Sequence, residues 1–146
     1  MKESSELTLE QLEQQLAQRV ITLYQTLLGH QLQQVSCNLV DKTVTILAED
    51  SLTHIEQFLD LSARRDLAIE VRNSLHKALE PHLQSLIEEL VHVPVVNVIC
   101  NAAFDTGHIS IVSVLAATPE LIRLHSLRQV VNSQKPENVS SRDDNK

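Results

Sequence analysis

Histidines are the first residues in this sequence whose chemistry could support a metal site. Ligand pairs on a helix lie three or four residues apart, whereas His76 and His82 are six apart and so face different directions. No HExxH, CxxC or HxH pattern occurs. The spacing therefore favours surface or capping histidines over a metal site. The seven histidines are His30, His54, His76, His82, His92, His108 and His125.

Two cysteines, Cys37 and Cys100, could act as reactive thiols. Each lies in an apolar run, where a free cysteine usually packs as a small hydrophobic residue. A reactive thiol needs a neighbouring cation or a helix N-terminus, and the sequence places neither beside them. Two cysteines this far apart also make no disulfide framework. We therefore expect both thiols to lie in the core.

The remaining patterns with catalytic potential lack their usual surroundings. Asp105-Thr106-Gly107 matches the triplet of aspartic proteases but falls at a hairpin apex, so we interpret it as a turn. Two widely spaced glycines, Gly29 and Gly107, rule out a Walker loop and a dinucleotide fingerprint. We predict no enzyme, and no catalytic, cofactor-binding or metal-binding residue.

Composition and charge exclude several classes of partner. The formal net charge is −7 and aromatic residues make up 2% of the chain. Phosphate-binding surfaces need clustered Lys and Arg, and single-strand binders use aromatic platforms. No apolar run approaches the roughly 20 residues of a membrane-spanning helix, and residues 1–6 lack the apolar segment of a secretory signal. We expect a bacterial-type cytoplasmic protein that neither binds nucleic acid directly nor inserts into a membrane.

The first part of the chain predicts a helix followed by a hairpin. Thr8 and Gln11 form a capping-box pattern, apolar residues then recur at steps of three and four, and Gly29 stands at the C-cap. Two runs rich in β-branched residues, Val35–Val40 and Thr43–Ala48, follow with a two-residue spacing typical of a tight hairpin.

The middle of the chain predicts two helices of very different length. Leu52, Ile55 and Leu59 indicate a short amphipathic helix. Leucines at helical spacing indicate a long one over residues 62–92. Pro81 interrupts the long helix, and we predict that the helix kinks there and continues, since no glycine or turn cluster adjoins the proline.

A second hairpin and a last helix complete the predicted elements. The strands span residues 93–103 and 108–116. Apolar residues at both parities suggest that this hairpin is covered on both faces, either by dimerisation through the sheet or by the last helix. Thr118 and Pro119 then mark a helix start. The last helix carries a stripe of Leu121, Leu124, Leu127 and Val131.

This order predicts an α+β fold made of two αββ units. The expected architecture is a mostly antiparallel four-stranded sheet with helices packed on it and a long kinked central helix. Residues 1–7 are expected to form a flexible N-terminus, residues 8–131 a single domain, and residues 132–146 a disordered polar tail. Apolar strand surface left by such a layer favours a homodimer.

Landmarks along the chain resemble a small bacterial family. Leu52-Thr53-His54-Ile55-Glu56 forms a turn of the type Leu-Thr-x-x-Glu. A long charged helix with Glu80-Pro81 follows, and then an apolar strand that begins Val93-Pro94-Val95-Val96. In this order, residues 9–117 are similar to the MpsC family, first classified as a domain of unknown function. One departure is Gly29-His30-Gln31-Leu32, where the family has a Gly-Arg-Gly-Pro-like loop.

The resemblance implies a non-enzymatic accessory or regulatory role. The family stands beside a sodium-linked, membrane-potential-generating system whose membrane components are related to inorganic-carbon uptake. A protein partner at the membrane is therefore the first hypothesis. The alternative is a dimeric small-ligand-binding sensor, by fold analogy alone. An enzyme that uses Cys37, Cys100 or a histidine is the third and is disfavoured by the patterns above.

Overall fold

The computed structural model of the chain describes residues 7–49 and 51–134. The expected flexible start and most of the expected polar tail fall on residues 1–6 and 135–146, outside the described residues. The helices and strands follow the predicted α+β order. They are α1 (Leu9–Leu28), β1 (Val35–Val40), β2 (Thr43–Ala48), α2 (His54–Leu61), α3 (Arg65–Val91), β3 (Val95–Ala103), β4 (His108–Leu115) and α4 (Glu120–Gln134).

The four strands form one antiparallel sheet in the order β1-β2-β4-β3. Each hairpin pairs its own strands, and β2 joins β4 so that Thr45 lies opposite both Asn38 and Val112. Alternate residues of every strand are buried on one face of the sheet, which follows from the period of two in a strand. The helices α1 and α3 pack on that face, as the sequence predicts.

The helix α1 supplies one half of the core. Leu12, Leu16, Val20 and Tyr24 are buried at steps of four along it, as one face of an amphipathic helix requires. The predicted capping box is present at its N-terminus, and Gly29 ends the helix in the left-handed conformation with φ of 65°. The ends of α1 are therefore determined locally by the residues that the sequence singles out.

The helix α3 continues through Pro81, as predicted, but begins three residues later than expected. Residues 62–64 separate it from α2, and Ala63 takes a left-handed φ of 61° there. A proline inside a helix costs about 3 kcal/mol in isolation. Leu79 and Leu83, on either side of Pro81, are fully buried in the core, so tertiary packing offsets that cost.

The second hairpin differs from its prediction. On the face of the sheet opposite α1 and α3, Val96 and Ile99 of β3 are 67% and 52% exposed. Within the described residues, the last helix therefore does not cover the outer face of β3, and that part of the prediction is wrong. Coverage by dimerisation through the sheet stays a prediction.

The helix α4 is also packed less fully than its apolar stripe suggests. Its buried residue is Ile122, whereas Leu124, Leu127 and Val131 are exposed. The hydroxyl of Thr118, just before the helix, donates to Asp41 at 2.6 Å and so ties the start of α4 to the turn of the first hairpin. Of the predicted stripe, Leu121 packs against the core, and the residues after it turn toward solvent.

Candidate functional site: an inverted helix

The helix α2 buries a glutamate and exposes three of its four apolar residues. Its buried residue is Glu56, which is 0% exposed, whereas Ile55, Phe58 and Leu61 are 66%, 68% and 87% exposed. Residues three apart share a helix face, so these three form a single row, here called the α2 stripe. The sequence predicts Ile55 on the buried side, and the structure places it in solvent.

Arg72 of α3 is the partner that holds Glu56 inside. Its Nε lies 2.6 Å from Glu56 Oε2 and its Nη2 lies 2.5 Å from Glu56 Oε1, which is a bidentate pair. Arg72 is itself only 2% exposed. The two charges are therefore removed from water together, and each depends on the other for compensation.

A short loop before α2 adds a further hydrogen bond to this pair. Arg72 Nη2 also donates to the carbonyl of Ser51 at 2.9 Å. Ser51 is fully buried; its hydroxyl donates to the carbonyl of Ala48 at 2.8 Å, and its N–H donates to Gly107 at 2.9 Å. The pair is thus bonded to the end of β2 and, through Ser51, to the turn of the second hairpin.

Glu56 also caps the helix to which it belongs. Its Oε1 accepts from the N–H and the hydroxyl of Thr53, both at 2.9 Å, while the Thr53 hydroxyl accepts from the Glu56 N–H. This is a complete capping box. The Leu-Thr-x-x-Glu landmark therefore has a double physical role, since Glu56 starts α2 and anchors it to α3.

Two further titratable side chains adjoin the buried pair. Burial raises the pKa of Tyr24, and the nearby Arg72 guanidinium opposes part of that rise. Burial lowers the pKa of His76, one helical turn after Arg72, to about 4, and the Arg72 cation adds to the effect. With this lowered pKa, His76 is neutral at physiological pH. Within the described part of the chain, Arg72 Nη1 and His76 Nε2 are buried without a hydrogen-bond partner.

The two cysteines and the Asp105 turn, which the sequence singles out, lie at separate places in the fold. Cys37 is buried in the core, as expected, whereas Cys100 is half-buried and packs against the core. Burial raises the pKa of Cys37 to about 12 and that of Cys100 to about 11. Asp105 lies at the turn of the second hairpin and accepts from Arg65 Nη2 at 3.1 Å. Within residues 7–49 and 51–134, no three His, Cys, Asp or Glu side chains cluster in a way that could hold a metal ion.

The loop after α1 lies beside the start of α2. The ring of His30 meets the ring of His54 edge to face, with centroids 6.4 Å apart, and Leu32 in the same loop is buried. Residues 29–32, where the sequence departs from the MpsC pattern, therefore adjoin the N-terminal end of the α2 stripe. His30 and His54 are far apart in the sequence, and only the tertiary fold shows that they are in contact.

A second candidate surface lies under α4. An open groove of about 380 Å³ runs between the start of α1, the end of α3 and α4. Its lining is mainly apolar and includes Leu12, Leu90, Leu121 and Leu124. The groove has the size of a small-ligand site, but it lacks the convergent buried polar groups that fix a ligand's orientation.

Comparison with known proteins identifies the family of the chain. Residues 8–117 match the family model described as Na+-translocating membrane potential-generating system (MpsC), and the chain belongs to this family. Neither a curated protein nor a solved structure matches it. The match contains α2 and Arg72 and ends before α4. Among the described residues, no helix combines the length and apolar character needed to cross a membrane.

We expect Glu56→Gln to lower the free energy of unfolding by about 3–5 kcal/mol, because it leaves the Arg72 cation buried without a counter-charge. Arg72→Met should cost a similar amount. The double variant should lose clearly less than the sum of the two, since it leaves no isolated charge. Urea unfolding of the four proteins measures these differences.

The exposed ion pair of Arg19 and Glu89 provides the control. It has a short separation of 2.7 Å, but its side chains are 42% and 64% exposed. Exposed pairs contribute about 0–1 kcal/mol, so Arg19→Met should have a small effect. Losses for Glu56→Gln and Arg72→Met as small as that of Arg19→Met would contradict the structural role of the buried pair.

His76 should make the stability of the fold fall with acidification between pH 6.5 and about 4. Its pKa is lowered from 6.5 to about 4 by folding, so in this window the unfolded chain binds a proton that the folded chain resists. Above pH 6.5 the His76 imidazole is neutral in both the folded and the unfolded chain, so it causes no loss of stability there. Thermal unfolding across this range should show a smaller acid loss for His76→Leu than for the native chain. His82→Gln, at an exposed position of the same helix, should retain the native slope, and an equal slope in His76→Leu would refute the assignment.

Proposed function

We propose that this chain is a cytoplasmic accessory protein, without chemistry of its own, which uses the α2 stripe to bind a protein of a membrane potential-generating system. The observation that carries the proposal is the inverted helix. A short helix that buries its glutamate and displays isoleucine, phenylalanine and leucine to solvent is costly for a protein that works alone.

The cost of the α2 stripe supports a binding role. Burying an apolar side chain of this size contributes roughly 1.5–3 kcal/mol, and three such side chains remain in water. Burial of the Glu56–Arg72 pair costs several kcal/mol per ion before the pair interaction offsets it. One helix carries both of these free-energy costs, which favours a partner-binding role for the exposed row over chance exposure.

The shape of the surface agrees with a protein partner. By helical position, Gln57 lies beside the apolar row, and the exposed His54 lies at its N-terminal end. An apolar centre with a polar rim is the usual anatomy of an interface, and the exposed Phe58 provides an aromatic anchor of the kind that dominates binding energy.

The family match supports the identity of that partner. The description of the family refers to a Na+-translocating membrane potential-generating system. The α2 stripe lies inside the matched residues 8–117. The exposed residues of α4 lie outside the match. A surface that serves the role of the family is therefore expected on α2.

The raised pKa values of the thiols of Cys37 and Cys100 favour an accessory role over catalysis.

The second candidate is a small-ligand sensor, favoured by the groove under α4. Its ligand would be mainly apolar, since few polar groups line the groove. The two candidates use different surfaces, which allows one set of variants to separate them.

A tagged native chain should capture an identified membrane subunit of an ion-translocating complex from detergent-solubilised membranes of the host. Phe58→Ser combined with Leu61→Ser should reduce that capture at least about tenfold, because it removes the two most exposed anchors of the stripe. Quantitative mass spectrometry of the captured proteins measures the effect.

The matched control is Leu127→Ser combined with Val131→Ser on α4. These residues have similar exposures of 60% and 65% but lie outside the family match, so capture should persist. Loss of capture in the α4 variant alone, or equal capture by all three proteins, would contradict binding through α2. Absence of any captured subunit, together with thermal stabilisation by a small metabolite, would favour the sensor.

A further inference from the structure

The edge of β3 presents backbone groups that no described residue binds. The N–H of Leu115 in β4 donates to Lys42 at 2.8 Å, so Leu115 and alternate residues before it face β2. The residues between them face β3, where the register pairs them with Asn97 and every second residue after it. The N–H and C=O groups of Val98, Cys100 and Ala102 therefore point away from the sheet. No described residue hydrogen-bonds to them.

The other edge of the sheet is already occupied at its middle. Glu13 of α1 accepts from the N–H of Leu39 in β1 at 2.8 Å, which takes a donor that an added strand would need. On β3 a similar carboxylate, Glu88, accepts from the N–H of Val95 at 2.8 Å. That contact is confined to the first residue of β3, so the open stretch begins after the bulge between Val95 and Asn97.

After the bulge, the open edge lacks two of the usual protections against strand addition. Natural edge strands are guarded by charged side chains or proline, and the nine residues of β3 include neither. Ile99, on the outer face of the same stretch, is 52% exposed. Since the whole chain carries a net charge of −7, an uncharged strand is a place where two copies meet without repulsion between like charges.

We propose that two copies of this chain pair their β3 strands antiparallel about a twofold axis at Cys100. The two four-stranded sheets then become one continuous sheet. Between copies, pairing of β3 with β3 is favoured over pairing of β3 with β1, because Glu13 occupies the donor at the middle of the β1 edge. Pairing of unlike edges, which would build open-ended filaments, is therefore blocked, and pairing of β3 with β3 gives a closed dimer.

The position of the axis follows from the outward-facing residues. Val98 and Ala102 are equally distant from Cys100, so an axis there pairs each Val98 with the partner's Ala102 and Cys100 with its own copy. All three outward residues then form hydrogen-bonded pairs, each with two bonds. An axis at Ile99 would pair Ala102 with Val96 in the bulge, and an axis at Asn101 would pair Val98 with Phe104, which lies beyond the end of β3.

Cysteine cross-linking tests this register directly. On the outer face, Ile99 lies opposite the partner's Asn101 in a non-hydrogen-bonded pair, whose Cα atoms are about 4.5 Å apart and within disulfide reach. In a Cys37→Ala, Cys100→Ala background, Ile99→Cys mixed with Asn101→Cys should form a covalent dimer on mild oxidation. Each variant alone should form much less, because like positions lie diagonally at about 7–8 Å. Val40→Cys, which is 67% exposed on β1, should not cross-link.

A proline substitution tests the backbone pairing itself. Ala102→Pro removes an outward N–H that makes no bond to β4, so the fold tolerates it as an edge strand does. The dimer loses two symmetric hydrogen bonds, and its dissociation constant should rise at least about tenfold. Ala102→Val keeps the N–H and should leave the dimer intact. Sedimentation velocity over a range of concentrations measures both variants.

Three results would overturn the proposal. The first is a native chain that remains monomeric at every concentration. The second is a dimer that Ala102→Pro leaves unchanged and that gives no cross-link in the mixed sample, since its interface then lies elsewhere. The third is a monomer whose β3 amides gain protection from hydrogen exchange only when a membrane protein is added, which would assign the edge to a strand of that protein. Because the α2 variants leave β3 unaltered, failure of this proposal is distinct from failure of the α2 docking proposal.

Discussion

The buried contact between Glu56 and Arg72 is the interaction on which the arrangement of the helices depends. It joins α2 to α3, and through Ser51 it also joins both helices to the end of β2 and to the turn of the second hairpin. A buried ion pair adds little net stability compared with apolar packing. Its value here is orientation, because α2 cannot rotate its apolar row inward without leaving the Arg72 cation of α3 in the core without its counter-charge.

The same constraint links the fold to the proposed function. One face of the sheet and the helices α1 and α3 form a conventional apolar core, to which α2 contributes no residue. The short helix is thus an attachment whose orientation is set by polar contacts and whose outer surface is apolar. Burial of a charge and exposure of a stripe are two consequences of one geometry, and the exposed stripe is available to a partner.

The sequence predicts the regular elements well because their signals are local. The strands of the first hairpin, the capping box at Thr8, the C-cap at Gly29 and the passage of α3 through Pro81 all depend on neighbouring residues, and the structure confirms them. The inverted helix depends on Arg72, sixteen residues after Glu56, and no local pattern shows which face of α2 meets it. A usable signal exists, since Arg72 lies on the same helical spacing as the buried Ala68, Leu79 and Leu83. An arginine within an apolar row indicates a buried acidic partner. The coverage of β3 and α4 is equally hidden, because apolar residues look alike in sequence whether they face a core, a partner or water.

Hydrogen exchange of the α2 amides reports directly whether the buried Glu56–Arg72 pair holds this helix in its inverted orientation. We predict that amides of residues 57–62 exchange as slowly as those in the first half of α3, since both helices open only when the Glu56–Arg72 contact breaks. Exchange of these amides near the rate of an unstructured peptide, while α3 stays protected, would contradict it. In that case the exposed apolar row would belong to a frayed segment and not to a preformed surface.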